Sequence, residues 1–491
     1  MATVQIHQAR SGRLPEVVLL ALAILLGMGG YLATTINKTG SLPHAMWIHL
    51  GVLVAIALIT HLLVRHFAPY ADPVILPIAV ALNGIGLAMI YRLDSSYRML
   101  GRTGLVVGTK QLVITLAGIM SMAFVLAFVK DHKRLRRYSY ICMVMSIIIL
   151  LLPIFFPAVN GAKIWINLGF ITLQPSEFAK ILLAVFFSAY LVDNRDKLSV
   201  GGPKISGIHL PRIRDLGPLM IVWALAIAVL VFQHDFGTSL LLFGMFVSMI
   251  YVATNRVSWL VIGAILILPG LWAATKVNHV AQRFEGWLHA LDPEIYNKVG
   301  GSGQLVQGLF GMATGGLFGT GWGSGYPQLV PFANSDFIFS SLAEELGLTG
   351  VLAILLCYLI LVERGIRTAI GVRDGFGKLL ATGLSFAIAF QVFVVVGGLT
   401  RVLPLTGLTA PFLAAGGSSL LSSWIIVGLM LRISDLARRP SESTPLLSTN
   451  EINKLPLSGE NTPKNTSGLP PRSGHTAADH NVTEWVPGVN Q

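Results

Sequence analysis

Charge is scarce in this sequence: 12% of its 491 residues are Asp, Glu, Lys or Arg. A soluble domain carries about 25%, and half that share cannot cover the surface of a water-soluble chain of this length. Cysteine is scarcer still. The two residues, Cys142 and Cys357, exclude a disulfide framework, and they are too far apart in sequence for a metal-ligand pair. Disorder is excluded over most of the length, because disordered chains are poor in apolar residues. Apolar mass is what the chain has: 54% hydrophobic residues and a mean hydropathy of +0.70.

That balance predicts an all-α polytopic membrane protein. A helix needs about 20 mostly apolar residues to cross a bilayer. About twelve runs qualify, at 14–36, 46–65, 73–91, 107–129, 138–157, 175–192, 216–233, 238–254, 257–274, 336–362, 378–400 and 409–431. The first is too long for a cleaved signal peptide and lacks a clean small-residue cleavage site. The runs are continuous rather than alternating, which argues against a membrane β-barrel.

The net charge of +12 is read as topology and not as nucleic-acid binding. With the N-terminus in the cytoplasm, the inner segments hold most of the Lys and Arg, KDHKRLRR at 130–137 above all. Both termini are therefore expected in the cytoplasm. The long, Gly- and aromatic-rich segment 275–335, between spans 9 and 10, is expected outside. Arg92, Arg98, Arg102 and Lys110 run against the bias. Residues 1–69 read as an N-terminal extension with two spans and 70–439 as the core. Residues 440–491, rich in Ser, Thr, Pro and Asn, read as a disordered cytoplasmic tail.

A charge at the bilayer centre costs at least about 2.5–3.5 kcal/mol, so polar residues near the spans are weighed singly. In 160–183, Trp165 marks the outer interface, Pro175 suits a first helical turn, and Glu177 and Lys180 share a helix face. They form either a neutralised pair or, with Lys163, a seat for a phosphate-bearing ligand. Asp235 can cap the helix after it, and His234 has no second ligand at metal spacing. In the long segment Asp292, Glu294 and His289 are acid–base candidates, although Asp-Pro also starts turns. The glycine spacing at 311–328 is no phosphate loop. Ser335 and Asp336 cap span 10. Glu344 and Glu345 fall about two turns inside it and need a wet cavity or a partner, for which Arg401 is the candidate. Pro404 and Pro411 interrupt the last run. Ser418, Ser419, Ser422 and Ser423 give it a small polar face, suited to helix packing or to a broken helix at a cavity.

In this order, the segments resemble the SEDS family (shape, elongation, division and sporulation proteins), which includes FtsW, RodA and SpoVE. The resemblance covers roughly residues 70–435. It rests on Gly161 to Ile166, Gln174-Pro175-Ser176-Glu177 with Lys180, and His234 to Thr238. It continues through Gln307, Gly316 to Gly321, Ser335 to Phe339 with Glu344-Glu345, Pro404, Thr406-Gly407, Pro411-Phe412 and Gly416 to Ser419.

What the resemblance implies is a peptidoglycan glycosyltransferase, RodA-like and of the actinobacterial type with two extra N-terminal spans. Such a protein polymerises lipid II at the outer face of the bacterial cytoplasmic membrane. It serves cell shape and elongation or division, alongside a class B penicillin-binding protein that supplies transpeptidation. A divalent cation, Mg or Mn, is an expected aid. The implied general base is Asp292. The implied substrate-binding residues are Lys163, Trp165, Glu177, Lys180, Asp235, Gln307, Ser335, Asp336, Glu344, Glu345, Ser418 and Ser419. Two departures stand out. The family's loop Asp-Pro precedes Gly-x-Gly-Tyr-Gln, whereas Asp292-Pro293 lies further from Gly301-Ser302-Gly303-Gln304 and the Tyr is absent. A strict count back from Gln304 lands on Asn297, which cannot act as a base. The family's Arg before Trp is Lys163 here, which keeps the charge but not the bidentate fork. The alternative functions are a lipid II flippase, or a non-catalytic scaffold for a penicillin-binding protein.

Overall fold

The computed structural model describes residues 13–440 apart from 42–44, 159–162, 168, 170–171, 200–203, 206–207, 210–212, 234, 277 and 299. Gly161, Ala162, His234 and the tail from 441 onward therefore lie outside the described residues.

The chain is helical nearly throughout. Two helices come first, α1 (Leu14–Thr39) and α2 (Ala45–Phe67), followed by α3 (Ile75–Met99) and α4 (Gly108–Phe128). A short α5 (Lys133–Arg137) precedes α6 (Ser139–Leu151), α7 (Ser176–Asp193) and α8 (Arg195–Ser199). Next come α9 (Ile213–Phe232), α10 (Phe236–Thr254) and α11 (Ser258–Ala274). The long segment holds α12 (Asn278–Leu288), α13 (Pro293–Asn297) and α14 (Gly303–Gly315). Three helices finish the bundle: α15 (Ile338–Gly371), α16 (Gly375–Leu399) and α17 (Gly417–Arg438). Among the described residues the strands are two short antiparallel ladders, and β1 (Ile166–Asn167) pairs with β2 (Thr172–Leu173) beside the start of α7.

Each expected span falls on a helix. Among the described residues eight helices are long and apolar enough to cross a membrane, and Ser139–Phe155, Met220–Phe232 and Ser258–Leu268 are shorter apolar stretches. The helix α7 stands apart because Glu177, Lys180 and Asp193 interrupt its apolar run.

The core sits around α3, the most enclosed of the eight, with 89% of its apolar window buried. The helices α1, α15, α4 and α17 pack against it, and Trp424 of α17 packs edge-on against Phe412 at 5.7 Å between ring centroids. The outer helices keep exposed apolar faces, as lipid contact requires: Val113, Met120, Phe124 and Phe128 of α4 are examples. The helix α1 crosses α3 where Gly27 meets Gly84, and a Cβ at Gly27 would lie 3.2 Å from the Gly84 Cα. Small residues admit this close approach, the usual route to helix association in lipid.

Two expected spans differ from straight helices. In α15 the helix breaks at Gly347, whose φ of 69° belongs to the left-handed region. The glycine-rich stretch 316–321 threads across the break. Thr320 and Gly321 donate to the Glu344 and Glu345 carbonyls at 3.0 and 2.9 Å, and Leu348 and Thr349 donate to Gly316 and Leu317 at 2.9 and 3.1 Å. The freed backbone groups are thus satisfied by protein, which makes a broken helix tolerable at membrane depth. The last expected span, 409–431, begins as a helix only at Gly417. Residues 402–416 form an irregular segment, with Thr406, Thr409 and Leu413 buried, because Pro404 and Pro411 cannot serve a continuous ladder.

The segment 275–335 is ordered rather than a bare loop: α14 packs against α15, and α12 carries Phe284 and Trp287 toward the bundle.

Candidate functional site

The polar residues singled out by sequence separate into three groups. The first is sealed inside the bundle. Pro175 and Ser176 start α7, so Glu177 and Lys180 stand on its first turn, and both side chains are buried. Lys180 Nζ donates to Glu177 and, at 2.8 Å, to Gln391 Oε1 of α16. Gln391 Nε2 donates to the Thr409 carbonyl at 2.9 Å, and Ser422 Oγ of α17 donates to Glu177 Oε2 at 2.8 Å. One ion pair therefore ties α7, α16, α17 and the irregular segment together. Ser418 accepts the Gln174 N–H at 2.7 Å, while the hydroxyls of Thr409 and Ser419 are buried without a partner. Of the two readings of Glu177 and Lys180, the structure gives the neutralised pair. Lys180 faces its partners and not the outer surface.

A second sealed group surrounds Glu344 and Glu345. Their cation is Arg92 of α3, fully buried, which pairs with Glu345 and donates to Ser96 Oγ at 2.6 Å and Gln328 Oε1 at 2.9 Å. Glu345 also accepts the Gly323 N–H at 3.0 Å, and Glu344 accepts the Tyr326 N–H at 2.6 Å. Arg92 donates to the Gly325 carbonyl as well. The expectation that Arg401 neutralises these carboxylates is corrected. Arg401 instead caps the end of α12, donating to the Trp287 and Leu288 carbonyls at 2.8 and 3.0 Å. Arg92 sits where the charge bias was weakest because it is an internal counter-ion, not a loop charge.

The third group lies at the starts of α10 and α15, beside α12 and the irregular segment. Asp235 caps α10, accepting the Thr238 N–H at 3.0 Å, and Ser176 Oγ approaches it at 3.4 Å. Arg283 of α12 donates to the Leu405 and Thr406 carbonyls at 3.2 and 2.7 Å. Gly407, with φ of 75°, leaves the space between Arg283 and Asp336 open. A Cβ there would lie 3.5 Å from the guanidinium and 3.8 Å from Asp336 Oδ2. Enclosure by protein raises the Asp336 pKa to about 7, against the pull of Arg283. Burial also raises Asp235, opposed by its Thr238 hydrogen bonds and by Arg283, and lowers Arg283, opposed by Asp235 and Asp336. Two acids and one guanidinium thus converge from α10, α12, α15 and the segment before α17.

The remaining candidates lie outside these three groups. Asp292 is exposed and caps α13, accepting the Glu294 N–H at 3.3 Å. Lys163 is exposed, its N–H donating to the Gln233 carbonyl at 3.3 Å, and Trp165 is half-buried beside β1. Ser335 Oγ points to the Phe332 carbonyl at 3.4 Å. Gln307 on α14 has a buried Oε1 without a partner. Sequence reasoning missed Arg92, Arg283 and Gln391 as site members. Gln391 was readable as the lone amide of an apolar run. Arg283 takes its importance from the fold of α12 onto 405–407.

Among the described residues no three His, Cys, Asp or Glu side chains gather to hold a metal ion.

The family described as cell cycle protein, FtsW/RodA/SpoVE, matches residues 73–439. The chain is 44% identical over 454 residues to the peptidoglycan glycosyltransferase RodA of Mycobacterium tuberculosis, covering 91% of this chain and 94% of that protein. Against the protein of the same name from Mycobacterium leprae it is 45% identical over 386 residues, covering 78% and 82%. The stage V sporulation protein E of Bacillus subtilis is 31% identical over 388 residues, covering 75% and 98%. Among solved structures, the rod shape determining protein RodA of Thermus thermophilus superposes with a TM-score of 0.53 at 23% identity, covering 74% of this chain and 96% of that one. A chain of a peptidoglycan synthase complex, described as coordinating polymerization and crosslinking, gives 0.51 at 23% identity, covering 79% and 97%.

Proposed function

This chain belongs to the FtsW/RodA/SpoVE family, and from that premise we propose that it polymerises lipid II into glycan strands at the outer face of the bacterial cytoplasmic membrane. The carrying observation is the 44% identity to a peptidoglycan glycosyltransferase over 91% of this chain. The chain is a multi-pass membrane protein and a peptidoglycan glycosyltransferase. Its service in elongation, its pairing with a class B penicillin-binding protein and the reading of α1 and α2 as an extension ahead of the family core are part of this proposal.

In the reaction, Asp292 takes the proton of the acceptor sugar hydroxyl as general base. The oxygen attacks the anomeric carbon with inversion, and the undecaprenyl pyrophosphate leaves. Lys163 and Arg283 oppose the charge on the departing pyrophosphate. Arg401 fixes the end of α12 and with it the chain leading to Asp292. Glu177 and Lys180, and Glu345 with Arg92, hold the helices together and keep their charges out of the reaction. No step in this proposal is routed through a divalent cation.

The test is glycan formation from purified lipid II by the purified chain in detergent. Polymer is expected from the wild type and not from Asp292→Ala. A flippase or a scaffold would yield no polymer there, since there is no membrane to cross and no partner to recruit. Equal polymerisation by Asp292→Ala would remove that residue from its role.

A further inference from the structure

The inner end of the first two helices holds a cationic cavity that the transfer reaction does not use. Glu16 of α1 is fully buried, ion-paired with Arg13, with His61 Nδ1 of α2 at 2.9 Å. Arg13 also donates to the Ala68 carbonyl, which pins the turn after α2. One carboxylate therefore answers both Arg13 and His61. Arg65, one turn beyond His61 on α2, has no carboxylate partner among the described residues. Between these groups lies an open cavity of about 440 Å³, lined by Arg13, Leu14, Val17, His61, Arg65 and Pro69. Leu14 and Val17 are 74% and 47% exposed, so an apolar wall runs from the arginines up the outside of α1. The positive-inside bias places this end in the cytoplasmic leaflet.

We propose that this cavity seats the phosphate-bearing headgroup of an anionic lipid of the cytoplasmic leaflet, with its acyl chains lying along Leu14 and Val17. Two guanidiniums against one carboxylate leave the cavity positive, and the planar guanidinium fork matches phosphate oxygens. Basic pockets between membrane helices on the inner side take such headgroups. A free phosphate would use the charge but leave the apolar wall without a role.

The experiment uses the full chain in detergent, with lipid binding read by native mass spectrometry. The probes are phosphatidylglycerol, phosphatidylcholine and inorganic phosphate. Phosphatidylglycerol is expected to bind in preference to phosphatidylcholine. Arg65→Gln is expected to weaken it about fivefold, the effect of one arginine near a membrane surface, with lipid II polymerisation unchanged. Arg13→Gln should weaken it further, but Arg13 also pairs with Glu16, so Arg65→Gln carries the test. Equal binding of the two lipids, or equal affinity of wild type and Arg65→Gln, would overturn the proposal. Inorganic phosphate competing phosphatidylglycerol away at equal concentration would also overturn it and leave a free-anion site.

Discussion

The carboxylates of the outer half fall into two regions that differ in what faces them. Glu177 and Glu345 are buried against Lys180 and Arg92; Ser422 donates to the Glu177 oxygen that faces Lys180, Gln391 approaches its other oxygen at 3.4 Å, and the Gly323 N–H takes the second oxygen of Glu345. Asp292 is exposed with one backbone bond, and among the described residues Asp336 has neither a hydrogen bond nor an ion pair within 4.0 Å. A carboxylate buried against a cation is closed off from a substrate and has much to lose if its partner goes. A carboxylate without a cation partner is the one free to meet a substrate hydroxyl. On the proposed mechanism the sealed region serves as scaffold, and the transfer chemistry falls to the acids that have no cation partner.

The sharpest way to break that division is at its two extremes. Asp292→Ala is expected to lower lipid II polymerisation by about 10²–10⁴-fold, the range of a general base, with thermal unfolding in detergent unchanged. Arg92→Met should do the reverse. It leaves Glu345 buried and unpaired, a loss of about 3–5 kcal/mol in stability, read by unfolding in detergent. The double variant Arg92→Met/Glu345→Leu should recover most of it, because two apolar side chains replace an ion pair at little net loss. Full stability of Arg92→Met would mean that the group is not scaffold.

The division was only partly legible in the sequence. Apolar run lengths located the long apolar helices, because hydrophobic length is a local property, but not α12, α13 and α14 of the long segment. The break at Gly347 was hidden, since only the stretch 316–321, distant in sequence, makes a left-handed glycine useful there. Glu177 and Lys180 were readable as a pair from their spacing. The partner of Glu345 was not, because Arg92 lies 253 residues away and no periodicity links the two. Arg283 was hidden for the same reason: its place depends on α12 folding over Leu405 and Thr406.

Asp336 sharpens the comparison through pH. Its pKa is raised from 3.8 unfolded to about 7 folded, so the folded state holds the extra proton. The stability it contributes is present below pH about 4 and is lost as pH rises through about 7. Asp336→Asn should therefore flatten the fall in melting temperature of the wild type between those limits and gain stability at pH 8. An unaltered pH profile would place Asp336 among ordinary surface acids.

The smallest effect is expected where charges are paired but wet. Arg136 and Asp193 form an ion pair with side chains 49% and 45% exposed. Exposed pairs gain little, since water screens them and two long side chains lose freedom, so Arg136→Ala should change stability by less than about 1 kcal/mol. The Arg92 pair has the same chemistry with both side chains at 0% exposure. Measuring both in one detergent isolates enclosure as the variable. If the two losses were equal, burial would not be what separates the scaffold carboxylates from the rest, and the partition of the carboxylates would need another basis.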